Sequence, residues 1–90
     1  MVSLNWSDQM DTRVAVISII VEKQEAVPAL NALLHEYAEY IIGRMGLPYH
    51  KKGISVICIA IDAPLNKINA LTGGLGRMDG INAKATYSSV

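Results

Sequence analysis

Ile54-Ser-Val-Ile-Cys-Ile-Ala-Ile61 is the stretch whose reading decides the fold. Its β-branched side chains favour an extended strand over a helix. Its alternating faces are Ile54, Val56, Cys58, Ala60 and Ser55, Ile57, Ile59, Ile61, and both are largely apolar. A strand that is apolar on both sides belongs in the middle of a sheet, covered above and below. A second segment, Arg13–Glu22 (RVAVISIIVE), has the same character, broken only by Ser18. The two are predicted to lie side by side at the centre of one sheet.

Working outward, the period changes at Gln24. Val27, Leu30, Leu33, Leu34 and Tyr37 recur at helical spacing. Pro28 is tolerated only in a first turn, so this helix should begin just before it. It should end around Glu36 to Glu39. Tyr40–Met45 returns to strand character. Gly43 interrupts that apolar run, and glycine within a strand marks a bulge or a close approach by another backbone or a ligand. Gly46–Gly53, with Pro48, reads as a polar turn leading into Ile54–Ile61. Asp62 is then the expected N-cap of a second helix, with Pro64 in its first turn. Leu65, Ile68, Leu71, Thr72 and Leu75 form the buried stripe of that helix. Gly73, Gly74 and Gly76 should end it with a left-handed cap. Asp79-Gly80 is a turn, and Ile81–Ser88 alternates as an edge strand should.

The order is strand-helix-strand, twice. Two such split crossover units build an α+β, ferredoxin-like βαββαβ sandwich, with a four-stranded antiparallel sheet and both helices on one face. The other face carries apolar residues from both central strands and has no helix to cover it. A second subunit is the expected cover, making the chain a homo-oligomer. Residues 13–90 form this domain. Residues 1–12 read as a flexible N-terminal tail, or else as an arm whose Trp6 docks on a neighbour.

Composition narrows the function. Ninety residues make one small domain, and 51% of them are hydrophobic, a high share for so much surface. Eight basic and eight acidic residues cancel. Nucleic-acid binding calls for a basic face. The largest basic cluster here is His50-Lys51-Lys52, so no direct DNA binding is expected. A single cysteine, Cys58, excludes an internal disulfide and fits a reducing, cytoplasmic setting. No signal peptide is visible, and the apolar runs are too short to cross a bilayer.

Catalytic and metal chemistry find little support. His35, His50 and Cys58 sit on a helix, a loop and a strand without ligand spacing, so no metal and no cofactor are expected. His35 suits a helix C-terminus, His50 a solvated loop, and Cys58 a buried apolar position. Gly73-Gly74-Leu-Gly76 resembles a phosphate loop in composition, but such loops precede a helix and use its N-terminal amides. No serine can be paired with a base. Glu22, Glu25, Glu36 and Glu39 read as solvated helix ends. The strongest binding candidate is Glu39-Tyr-Ile-Ile-Gly-Arg-Met-Gly-Leu-Pro-Tyr49. Arg44 can anchor a carboxylate or phosphate, or make a salt bridge within the chain or across an interface. Gly43 and Gly46 allow close approach, and Tyr49 closes the loop. These four are the candidate ligand-binding residues, for a small anionic effector bound near a subunit interface.

Four runs carry a family resemblance: Ile19-Ile-Val-Glu22, Asn31-x-x-Leu-x-His-Glu-Tyr37, Ile41-Ile-Gly-Arg-Met-Gly-Leu-Pro-Tyr49 and Ile68-Asn-Ala-Leu-Thr-Gly-Gly-Leu-Gly76. Together they resemble the iron-only hydrogenase system regulators over roughly Arg13 to Tyr87. Those proteins are similar to ACT-like domains and to the C-terminal domain of the nickel-responsive repressor. The resemblance implies an oligomeric, non-enzymatic regulatory module, linked to the iron-only hydrogenase system and to transcriptional regulation. Two features of the relatives are missing: the repressor's histidine-rich metal site, and the glycine-bearing loop of ACT domains, where Glu22-Lys-Gln-Glu25 stands. The alternatives are a structural protein–protein interaction module and a small ferredoxin-like dimeric enzyme, since fold does not dictate chemistry.

Overall fold

The computed structural model describes residues 11–90. The segment containing Trp6 lies outside them. Six main elements follow in order: β1 (Arg13–Val21), α1 (Val27–Glu36), β2 (Ile41–Tyr49), β3 (Ile54–Ala63), α2 (Leu65–Gly76) and β4 (Ile81–Tyr87). Single 3-10 turns at Gln24–Ala26, Ala38–Tyr40 and His50–Lys52 join them. The strands form one antiparallel sheet in the order β2-β3-β1-β4. This is the ferredoxin-like arrangement, and the two most apolar segments are its central pair.

Register explains the core. Ile17 lies opposite Ile59, Ile19 opposite Ile57 and Ala15 opposite Ile61. These side chains share one face, and all are buried. Leu30 and Leu34 of α1, and Ile68, Leu71 and Leu75 of α2, pack down on them. Each such side chain, taken from water to a filled interior, contributes about 1.5–3 kcal/mol. Ala83, Ala85 and Tyr87 of β4 join the same layer from the edge. Pro28 sits in the first turn of α1, where its missing N–H costs nothing.

Four local expectations are corrected. Gly46–Gly53 is not a turn throughout. β2 runs on to Tyr49, paired residue by residue with β3 as far as Ile54. A proline is acceptable there because β2 is an edge strand. Asp62 is not a helix cap: it belongs to β3, opposite Val14. The N-cap is Pro64, whose carbonyl accepts the N–H groups of Lys67 and Ile68. The three glycines near the end of α2 carry no left-handed cap. Positive φ occurs only at Gly53 (64°) and Gly80 (83°) among the described residues. Gly74 serves packing, since a Cβ there would stand 3.0 Å from Leu33 of α1. Leu65, expected in the buried stripe, is exposed.

Candidate functional site

The sheet's open face is organised in rows across the strands. One row is Met45, Cys58, Ser18 and Lys84; the next is Leu47, Val56, Ile20 and Asn82. The face is apolar on β2, β3 and β1 and turns polar at β4. Met45 and Leu47 are 62% and 59% exposed. Cys58, expected to be buried, is half-buried here, because no layer lies above it.

β2 distributes the candidate residues between both faces. Ile41 lies opposite the buried Ile61, so it points toward the helices. The register then slips between Ile41 and Gly43. A bulge of one residue reverses the facing of everything that follows. Gly43 therefore lies opposite Ala60, on the open face, and Arg44 lies opposite Ile59, on the helix side. The bulge anticipated from the glycine is present. It brings Arg44 and Gly46 together on the helix side and leaves Gly43 and Tyr49 on the other.

On the helix side, α1 stops short of the sheet's edge. The gap is a groove that Arg44 spans. Its Nη2 donates to Oδ1 of Asn31 on α1 at 2.8 Å. On one side of this bridge lies a hollow of about 290 Å³, lined by Leu34, His35, Ala38 and Ile41. On the other lies a hollow of about 260 Å³, walled by Leu30, Ile57 and Pro48 among others. Arg44 and Asn31 line both. Within the chain Arg44 therefore meets a neutral amide rather than a carboxylate. Among the described residues the only ion pair joins Lys23 to Asp79. Arg44 is therefore in no ion pair among the described residues. Gly46 is not crowded, since a Cβ there would meet only Ile57, at 3.9 Å. A Cβ on Gly43 would meet nothing within 4 Å.

In the sequence Asn31 stands out only as part of the family-like run Asn31-x-x-Leu-x-His-Glu-Tyr37. Its signal in the sequence is a polar residue inside a helix of apolar stripe. What it faces depends on β2, which follows later in the chain. His35 occupies the last turn of α1, and His50 is exposed in the turn after β2. Among the described residues no group of three His, Cys, Asp or Glu side chains could hold a metal ion. Hydrogen bonding to Asp79, then its charge, raises the Lys23 pKa; the same contacts hold the Asp79 carboxyl below its usual value.

Comparison with known proteins agrees with this architecture. The TM1266-like family model, described as "Iron-only hydrogenase system regulator, putative", matches residues 13–85. The structure is similar to that of uncharacterized protein TM1266 from Thermotoga maritima, with a TM-score of 0.82 and 28% identity, covering 86% of this chain and 98% of that one. It is also similar in fold to part of a homoserine dehydrogenase from Thiobacillus denitrificans, with a TM-score of 0.59 and 10% identity, covering 89% of this chain and 18% of that one. No curated protein matches in sequence. No helix among the described residues is long and apolar enough to cross a membrane.

Proposed function

The chain belongs to the TM1266-like family, and from that premise we propose a non-enzymatic regulatory module that binds a small anionic effector beside Arg44. It works as a homo-oligomer closed over the open face of its sheet. The link to the iron-only hydrogenase system comes with the family description. The neutral charge balance supports action through a bound effector or protein partner rather than through direct contact with DNA.

The observation that carries the effector reading is the Arg44–Asn31 bridge across the groove. A guanidinium held by a neutral amide is oriented without being neutralised. Its free donors can make a two-pronged contact with a carboxylate or phosphate. The walls on either side are mostly apolar, so the same groove accepts a small molecule with an anionic head. The oligomer reading is supported by the open face, which holds Val16, Met45, Leu47, Tyr49 and Val56, five of the large exposed apolar side chains. Large apolar side chains exposed together on one face support an interaction surface there.

Calorimetric titration with a panel of small carboxylates and phosphate esters tests the effector reading. Wild type should bind one class. Arg44→Ala should weaken it by about 1.5–3 kcal/mol, the range for a hydrogen bond to a charged group, with no change in mass by light scattering. If Arg44→Ala lowers the mass while affinity per oligomer is unchanged, Arg44 is an interface residue and the effector reading fails.

A further inference from the structure

We propose that the anionic head of the effector is the tetrahedral phosphate of a phosphate monoester, bound in the hollow between Arg44 and His35 with His35 as one of its ligands. This rests on the effector reading above, and adds to it a ligand class and a side of the Arg44–Asn31 bridge.

The two hollows that flank the bridge differ in chemistry. The one of about 290 Å³ is lined by Asn31, Leu34, His35, Ala38, Ile41 and Arg44. Three of those side chains carry N–H donors, and none is a carboxylate. Beyond the bridge, the hollow of about 260 Å³ adds only the neutral Gln24 and Ser55 to the two bridging residues; the rest of its wall is apolar or glycine.

The bridge also fixes the Asn31 amide. A guanidinium has donors and no acceptor. Arg44 therefore requires the amide oxygen, and Oδ1 is the atom that accepts from its Nη2, at 2.8 Å. The two N–H groups of the amide are then on the other branch of the side chain. His35 follows Asn31 by four residues in α1, so it stands on the same helix face one turn on. Its imidazole has an N–H in the neutral form as well as the charged one. One helix face thus offers an amide and an imidazole, and the β2 bulge turns a guanidinium toward them.

The donor set selects the head group. A carboxylate has two oxygens in one plane, and the fork of a single arginine satisfies both. It leaves Asn31 and His35 unused. A phosphate ester offers three terminal oxygens and a charge of about −1.5 to −2. Guanidinium, amide and imidazole, arriving from a strand and a helix, suit a tetrahedral acceptor. Leu34, Ala38 and Ile41 on the remaining wall receive the carbon atoms beyond the ester oxygen. The competing place for an anion is the basic turn His50-Lys51-Lys52 that follows β2. It carries more charge, yet of those three only His50 lines the hollow beside it, of about 370 Å³.

The chain has two histidines, so one spectrum reads both places. Phenyl phosphate is titrated into the full chain with labelled imidazole rings, at about pH 8, where the ester is doubly ionised because its second pKa is about 6. The NMR signals of the His35 ring should move to saturation while those of His50 stay. Calorimetry then compares phenyl phosphate with benzoate. His35→Ala should weaken phenyl phosphate about tenfold or more, as loss of a hydrogen bond to a charged group does, and leave benzoate nearly unchanged. Gln24→Ala, in the other hollow, should change neither. If the two probes bind alike, both fail in Arg44→Ala and neither responds to His35→Ala, this inference is overturned and the effector reading stands. A loss produced by Gln24→Ala alone has the same meaning, since it puts the head on the other side of the bridge. Moving His50 signals with still His35 signals place the phosphate at the basic turn and refute the site; if Arg44→Ala then leaves both affinities unchanged, the effector reading fails as well. Absence of phenyl phosphate binding at millimolar concentration refutes the inference, whatever benzoate does.

Discussion

Replacing Gly80 by alanine should be among the most damaging single-atom changes outside the core, and Gly53→Ala is its internal control. Both glycines have positive φ, at 83° and 64°. Forcing an L-residue into that region costs about 1–2 kcal/mol. The surroundings differ. A Cβ on Gly53 would meet nothing within 4 Å, whereas one on Gly80 would stand 2.6 Å from both Cβ and Cγ of Lys23. The Lys23 Cβ is fixed to the backbone, so rotation of the side chain cannot relieve the overlap. The chain must separate where Glu22 N–H donates to the Gly80 carbonyl at 2.7 Å and Lys23 Nζ meets Asp79 Oδ2 at 2.7 Å. Overpacking of this kind costs about 1–3 kcal/mol. Gly53→Ala should thus lose about 1 kcal/mol, after the alanine's lower unfolded-state entropy offsets part of the strain. Gly80→Ala should lose about 2–4 kcal/mol, the two terms together less the same entropy offset. Urea unfolding at one fixed protein concentration gives both values from the midpoints if the slopes agree. Equal losses in the two variants would show that the Lys23 contact carries no cost and would refute the reasoning.

Gly76→Ala should stabilise the protein by about 0.5–1 kcal/mol, because Gly76 lies in α2 without positive φ and with nothing within 4 Å of a new Cβ; a destabilised variant in the same urea assay would contradict this. Ile59→Ala should cost about 2–5 kcal/mol, since Ile59 is fully buried at the centre of β3; far-UV dichroism during denaturation reads it, and a loss below that of Gly53→Ala would be the wrong outcome. Asp79→Asn should remove the clip to Lys23 and with it a pH dependence. The carboxyl is held low, so its contribution is present above about pH 4 and is lost as pH falls through the folded value. The ammonium is held high, so its contribution is present below about pH 10.4 and is lost as pH rises through the folded value. The stability gap between wild type and variant should be level between those limits and shrink at both ends; a gap that ignores pH would deny the clip any role.

Much of this protein is determined locally, and that part is legible in the sequence. The β-branched runs of β1 and β3, the helical spacing of Leu30 and Leu34, the position of Pro28 and the alternation of Ile81, Ala83, Ala85 and Tyr87 each depend on near neighbours alone. They identify the elements, their order and the residues of the core, and from these the ferredoxin-like fold follows. The lower half of β2 is different. Gly46 and Pro48 have weak strand character of their own, and the segment through Tyr49 is extended because Ile57 to Ile54 lie beside it. The three glycines of α2 follow the same rule: a left-handed cap is a local expectation, while the nearness of Leu33 to Gly74 is set by how two helices meet.

The candidate site shows the division most sharply. Arg44 and its flanking glycines are visible in the sequence as an unusual cluster in an apolar strand. Which way Arg44 points is decided by one unpaired residue, Ile42. Without that bulge, period-two alternation from Ile41 would carry Arg44 to the open face, beside Met45's present neighbours. With it, the guanidinium turns under the sheet to Asn31, thirteen positions earlier in the chain. Strand pairing sets the face of a side chain and helix docking sets its partner. Both are long-range events, so the sequence supplies the arginine and only the tertiary structure makes it one wall of a groove.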